Sequence, residues 1–153
     1  MRNDMHHLRT ALLIVLAACG SSADHGHPHG AAEPAEQPGQ SVTIWAERTE
    51  LFMEYRPILV GQEARFAAHV TEMPTFKAVT AGRATLTLRY ADGTSVNGTT
   101  DAPTNPGIFR PALTAPKPGP CELVLAIESP QVTETFSAGP CEVFADEATA
   151  RAK

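Results

Sequence analysis

The stretch TELFMEYRPILVGQEARFAAHVT, from Thr49 to Thr71, holds the densest cluster of large side chains in the chain. It reads as two β-strands with a tight connection. Leu51-Phe52-Met53-Glu54-Tyr55 is an apolar, aromatic run, Arg56-Pro57 interrupts it, and Ile58-Leu59-Val60-Gly61 restores it and ends on a turn residue. From Arg65 to Thr71 the residues alternate, with Phe66, Ala68 and Val70 on one face and Arg65, Ala67, His69 and Thr71 on the other. A period of two is what a sheet with one buried face requires. Phe52, Tyr55, Leu59 and Phe66 are therefore expected to build a core, with His69 pointing away from it.

Outward from this centre the same pattern recurs. Ser41 to Glu47 alternates, with Val42, Ile44 and Ala46 on one face and Trp45 on the other, under a loop or at an interface. Arg83 to Tyr90 (RATLTLRY) is the clearest strand, with Ala84, Leu86, Leu88 and Tyr90 inward, and Asp92-Gly93 after it signals a hairpin turn. Glu72 to Gly82 reads as a loop with a short extended piece, and Thr94 to Thr104 as a weak strand plus loop. Asn105 to Pro111 pairs a tight turn with a short hydrophobic anchor, and Leu113 to Gly119 (LTAPKPG) suits an edge or crossing segment. Gly119 to Ile127 and Gln131 to Phe144 read as an antiparallel hairpin about Ser129-Pro130. Mirroring the chain there brings Cys121 opposite the neighbourhood of Cys141 and favours a disulfide; two reduced thiols or a metal-binding pair remain open. The tail from Asp146 to Lys153 begins a helix too short to stand alone.

With 153 residues, the chain has room for one domain of ordinary size. Thirteen Pro and eleven Gly fall between short apolar runs, which points to an all-β protein rich in turns. Seven or eight short strands spanning 41–145 make an immunoglobulin-like antiparallel β-sandwich the expected architecture. The net charge of −5, with no basic stripe, argues against nucleic acid as a partner. No nucleophile motif, phosphate-cradling glycine loop or close carboxylate pair emerges, so an enzyme is not expected.

The first 18 residues read as an export signal. Arg2, His6, His7 and Arg9 make a basic start, and Ala11 to Ala18 is an apolar run of h-region length. It falls well short of the ~20 residues of a membrane-spanning helix. Leu16-Ala17-Ala18-Cys19-Gly20 resembles the bacterial lipobox, which implies lipidation at Cys19 and an anchor worth ~0.8 kcal/mol per buried methylene. An ordinary signal peptide with a coincidental Cys is the alternative. Lipidation implies a protein held to the cell envelope and facing the periplasm, with Gly20 favouring the outer over the inner membrane by the enteric sorting pattern. Residues 19–40 then form a tether: Ser21 to Gln40 contains no apolar side chain larger than Ala and is expected to be disordered. Extended at ~3.3 Å per residue it reaches roughly 65 Å.

Within the tether, Asp24-His25-Gly26-His27-Pro28-His29 sets three imidazoles at alternate positions beside a carboxylate. That chemistry suits Cu(II), Ni(II) or Zn(II), at modest affinity because nothing fixes the rings. A His-rich polar spacer is the plain alternative. His69 and Met73 are weaker candidates from the domain: His69 on an outward face is also an ordinary solvated strand residue, and Met73 beside Pro74 an ordinary packing residue.

Taken together, Thr49-Glu50-Leu51-Phe52-x-Glu54-Tyr55, Leu59-Val60-Gly61, Arg65 to Thr71, Phe76-Lys77-x-Val79-Thr80-x-Gly82 and Pro106 to Pro111 resemble the N-terminal domain of periplasmic adaptor subunits of RND-type heavy-metal efflux systems. YtkA-like and FixH-like domains are similar small sandwiches. The resemblance covers residues 42–144 and implies an efflux context, with pump or adaptor components as partners. Adaptors of that kind continue into a helical hairpin, a lipoyl-like domain and a β-barrel that bridge pump and channel. These 153 residues carry the first domain alone, which implies the efflux context without the bridging activity and leaves open a separate protein or part of a longer one.

Overall fold

The computed structural model describes residues 39–153. At Arg56-Pro57 the chain changes sheets, so the central stretch forms three strands rather than two: β2 (Thr49–Tyr55), β3 (Ile58–Leu59) and β4 (Glu63–Glu72). Pro57 offers no N–H to a ladder, so it suits a crossing between layers. β2 and β4 pair antiparallel in one sheet, from Thr49 opposite Glu72 to Tyr55 opposite Phe66. β3 joins the other sheet, parallel to the end of β11 (Thr133–Phe144).

The first sheet runs β1 (Gln40–Trp45), β2, β4, β5 (Lys77–Ala78), with β8 (Ile108–Phe109) and β9 (Ala112–Thr114) also pairing with β4. The second runs β3, β11, β10 (Gly119–Glu128), β6 (Arg83–Tyr90), β7 (Ser95–Thr100). The result is an all-β sandwich in which seven strands have six or more residues. The inner faces follow the alternation read from the sequence. Phe66, Ala68 and Val70 of β4 meet Ala84, Leu86 and Leu88 of β6 and Leu123, Leu125 and Ile127 of β10 in one buried cluster. Each fully buried Val, Leu, Ile or Phe among them stabilises the fold by roughly 1.5–3 kcal/mol.

Phe52 corrects the sequence reading. Leu51 and Met53 are fully buried, so strand alternation turns Phe52 to the outer face of β2 beside Glu54. Its ring lies 5.6 Å from that of His69, its partner across the ladder. Tyr55 and Phe66 do pack together, with ring centroids 5.0 Å apart, and burial raises the Tyr55 pKa.

Cys121 and Cys141 stand directly opposite in the β10–β11 ladder and form a disulfide, with Cα atoms 4.9 Å apart. Val124 pairs with Ser137 but Leu123 with Gly139, so Ala138 is an extra residue and the register slips by one. That bulge is what brings Cys141, rather than its neighbour, opposite Cys121. The sheets approach closely at Gly98 of β7, where a Cβ would lie 2.0 Å from the Ala112 carbonyl oxygen. The tail forms the short helix α1 (Glu147–Arg151), capped by Asp146, whose carboxylate accepts from the Thr149 N–H at 2.8 Å. That bond holds the Asp146 carboxyl below its usual pKa. Among the described residues, no helix is long and apolar enough to cross a membrane.

Candidate functional site: an aromatic end of the first sheet

Two turns meet at one end of the first sheet. The β1–β2 turn is closed by the Ala46 N–H donating to the Thr49 carbonyl at 2.8 Å. The β4–β5 connection is the four-residue loop Met73-Pro74-Thr75-Phe76, closed by the pair Glu72 and Lys77. The Met73 N–H donates to the Arg48 carbonyl at 2.8 Å and ties the two turns together. Around them, the Arg48 guanidinium reaches Glu72 at 3.4 Å, and the Thr75 hydroxyl donates to the same carboxylate at 2.8 Å.

This end carries the two large apolar side chains that stay exposed among the described residues, Trp45 at 65% and Phe76 at 77%. Trp45 ends β1 on the outer face, in a row with Glu50, Thr71 and Ala78. Phe76 holds a left-handed backbone, with φ of 53°. Pro74 suits the start of such a loop, and the residue that turns the chain back into the next strand must then take positive φ. Gly or Asn meets that demand at little cost, whereas an aromatic side chain there costs roughly 1–2 kcal/mol. The sequence thus spends stability to hold a phenyl ring in solvent.

The outer face of the same sheet carries His69. Its Nε2 lies 3.9 Å from the Glu54 carboxylate, with Phe52 against the ring. Met73 lies past the end of β4, half-buried at the turn. The pair is not joined by further ligands: among the described residues, no three His, Cys, Asp or Glu side chains are grouped to hold a metal ion. Cys19 and the tether histidines His25, His27 and His29 lie outside the described residues.

A charged cluster on the second sheet is a clamp in which the Tyr90 hydroxyl donates to the Lys117 carbonyl at 2.6 Å. The Lys117 ammonium bonds Asp92, reaches the Thr94 hydroxyl at 3.0 Å and sits 4.7 Å over the Tyr90 ring. The Lys117 ammonium first, and then the Thr94 hydroxyl and N–H, hold the Asp92 carboxyl far below the usual carboxylate range. Burial raises Tyr90, against the opposing pull of Lys117. These contacts pin the segment that leads into β10 onto the β6–β7 turn.

Of the exposed aromatic end the sequence reading caught half: alternation set Trp45 on the outer face, under a loop or at an interface, but did not mark Phe76. Phe76 gave no such signal, because a lone Phe beside Lys77 reads equally well as an anchor. Compared with protein-family models, curated proteins and solved structures, the chain matches none.

Proposed function

We propose that this chain is an exported, lipid-anchored β-sandwich of the bacterial cell envelope that works by protein contact, accessory to or derived from the adaptor subunit of an RND-type efflux system. The contact role rests on Phe76, an aromatic ring held in solvent at φ of 53°. A strained backbone carrying a solvent-facing ring gains nothing for the fold and is the kind of cost kept for recognition. Trp45 at the same end adds a second flat apolar surface of the type enriched at interfaces. The efflux context rests on the sequence pattern across residues 42–144.

Deletion of the gene is expected to lower tolerance to metals or drugs, and a copy carrying Phe76→Ala should restore it poorly. Unchanged tolerance in the deletion strain would remove the efflux reading, and full rescue by the Phe76 variant would remove the contact surface.

A second reading, metal capture, is favoured by the alternating imidazoles of His25, His27 and His29. Calorimetry with Cu(II), Ni(II) and Zn(II) on the full chain should lose its binding heat when all three become Ala. Affinity that survives the change sinks the tether site.

A further inference from the structure

β1 closes one side of the first sheet, and among the described residues no strand pairs with its outer side. The closing bond of the β1–β2 turn, from Ala46 N–H to Thr49 carbonyl, fixes how the ladder alternates. Val42 and Ile44 direct their backbone groups to β2, opposite Met53 and Leu51. Ser41, Thr43 and Trp45 direct theirs away from the sheet. The same three residues face outward, while Val42 and Ile44 lie half-buried on the inner face, packed against the core but open at its margin.

An open edge normally carries a charge, a Pro or a bulge that stops another strand from docking. β1, QSVTIW, carries no charge or proline and pairs with β2 in an unbroken register. The margins of the second sheet differ. β3 covers β11 only at Val143 and Phe144, and the rest of that side carries Glu134, Pro140 and the Ala138 bulge. β7 is uncharged, but its centre is Gly98, and Val96 is its one large apolar side chain.

We propose that two copies of this chain pair antiparallel through β1, about a two-fold axis at Thr43. Only registers that set inward residues opposite inward residues keep Val42 and Ile44 inside. The centred one places Thr43 opposite Thr43, Val42 opposite Ile44 and Ser41 opposite Trp45. In that register every outward-directed backbone group of Ser41, Thr43 and Trp45 finds a partner, and the paired Thr side chains are themselves favourable. Each Val42 meets an Ile44 at the spacing where side chains approach most closely. On the outer face, Glu50 of one copy lies level with Glu54 of the other but three strands away, roughly 14 Å. That exceeds the ~10 Å screening length at 0.1 M salt. The strand is thus complementary to itself read backwards, which singles out a second copy as the occupant. Trp45 becomes covered over Ser41 of the other copy, while Phe76, in its own loop, stays open. The pairing stands independently of the efflux reading.

Sedimentation velocity on the full chain tests this, with the emission of Trp45, the single Trp of the sequence, followed over the same concentrations. The mass is expected to rise from one copy to two with concentration, with Trp45 emission moving to shorter wavelength in step. Thr43→Pro removes an edge N–H that the β1–β2 ladder does not use, so it should stay monomeric and melt like the wild type at dilutions where the wild type is also a monomer. Thr43→Glu, which sets two carboxylates face to face on the axis, should do the same and serves if the proline variant folds poorly. Phe76→Ala should dimerise like the wild type. A wild-type chain that stays monomeric, including one that instead takes up a foreign extended segment at this edge, overturns the proposal. So does association of both Thr43 variants at wild-type strength, or a dimer in which Trp45 emission does not move.

Discussion

β1 and β11 each leave one side without a partner along most of their length, and they are built on opposite plans. β11 is paired along its length to β10, bridged by Cys121–Cys141 and fully buried at Phe136 and Val143 on its inner face. Its free side is blunted by Pro140 and by the bulge at Ala138. β1 has six residues, half-buried apolar side chains and no blunting device. One strand belongs to the stability of the sandwich and the other to its surroundings. The difference shows that stability and availability are distributed along separate margins of one core.

The largest effect should separate the two margins directly. Leu125→Ala, on β10 beside β11, empties a fully buried position and is expected to cost about 2–5 kcal/mol in urea unfolding. Ile44→Ala on β1 removes a half-buried side chain and should cost under ~2 kcal/mol. Equal costs would break the comparison. Next, replacing Cys121 and Cys141 together by Ala opens a loop of 20 residues and should lower stability by up to ~3 kcal/mol. The circular dichroism of the sandwich should persist, because the β10–β11 ladder and the buried inner face remain. Loss of the fold would mean that the bridge, and not the ladder, organises that margin.

A gain is expected at the aromatic end. Phe76→Gly relieves the left-handed strain and should raise stability by about 1 kcal/mol, while removing the ring proposed for contact. A destabilised Phe76→Gly variant would show that the ring serves the fold.

The smallest effect concerns acid. Asp92 has its folded pKa depressed by Lys117 and Thr94, so its contribution is present above the unfolded value of ~3.9 and fades as pH falls through the folded one. Asp92→Asn should lower the melting temperature slightly at neutral pH, and the gap to the wild type should close as pH falls below ~4, which flattens the variant's acid limb. A variant with the wild-type acid limb would show that Asp92 adds nothing to it.

Much of the sandwich was legible because one residue type marks each face. In Arg83–Tyr90 the outward residues are Thr and Arg, so the inward set could be read at once. The β2 run was harder, because apolar side chains fall on both faces, and size suggested that Phe52 belonged inside. Glu54, two residues on, marks the outer face and was the better guide. The sheet crossing at Arg56-Pro57 was visible as an interruption but not as a change of layer, since β3 is two residues long and gains its pairing from residues more than eighty positions away. The disulfide could be read from hairpin symmetry, and only the bulge that fixes its register could not. Of the candidate site residues, His69 faces outward as alternation required. The exposure of Phe76 depends on a turn conformation that the residue itself disfavours, which propensity cannot reveal.

The layout of the first sheet also determines how the domain would bear load. Gln40, where the preceding chain enters, lies level with Tyr55 and Phe66 at one end of the sheet. Trp45 and the loop of Phe76 lie at the other end, level with Glu50, Thr71 and Ala78. A pull on Gln40 against a partner gripping the far end runs parallel to the strands. Where the grip is on the Phe76 loop, across β2 from the pulled strand, the β1–β2 bonds resist together, in shear, rather than opening one after another as a zipper. A load applied between Gln40 and that loop thus falls along the strands, the direction in which the bonds of a ladder share it.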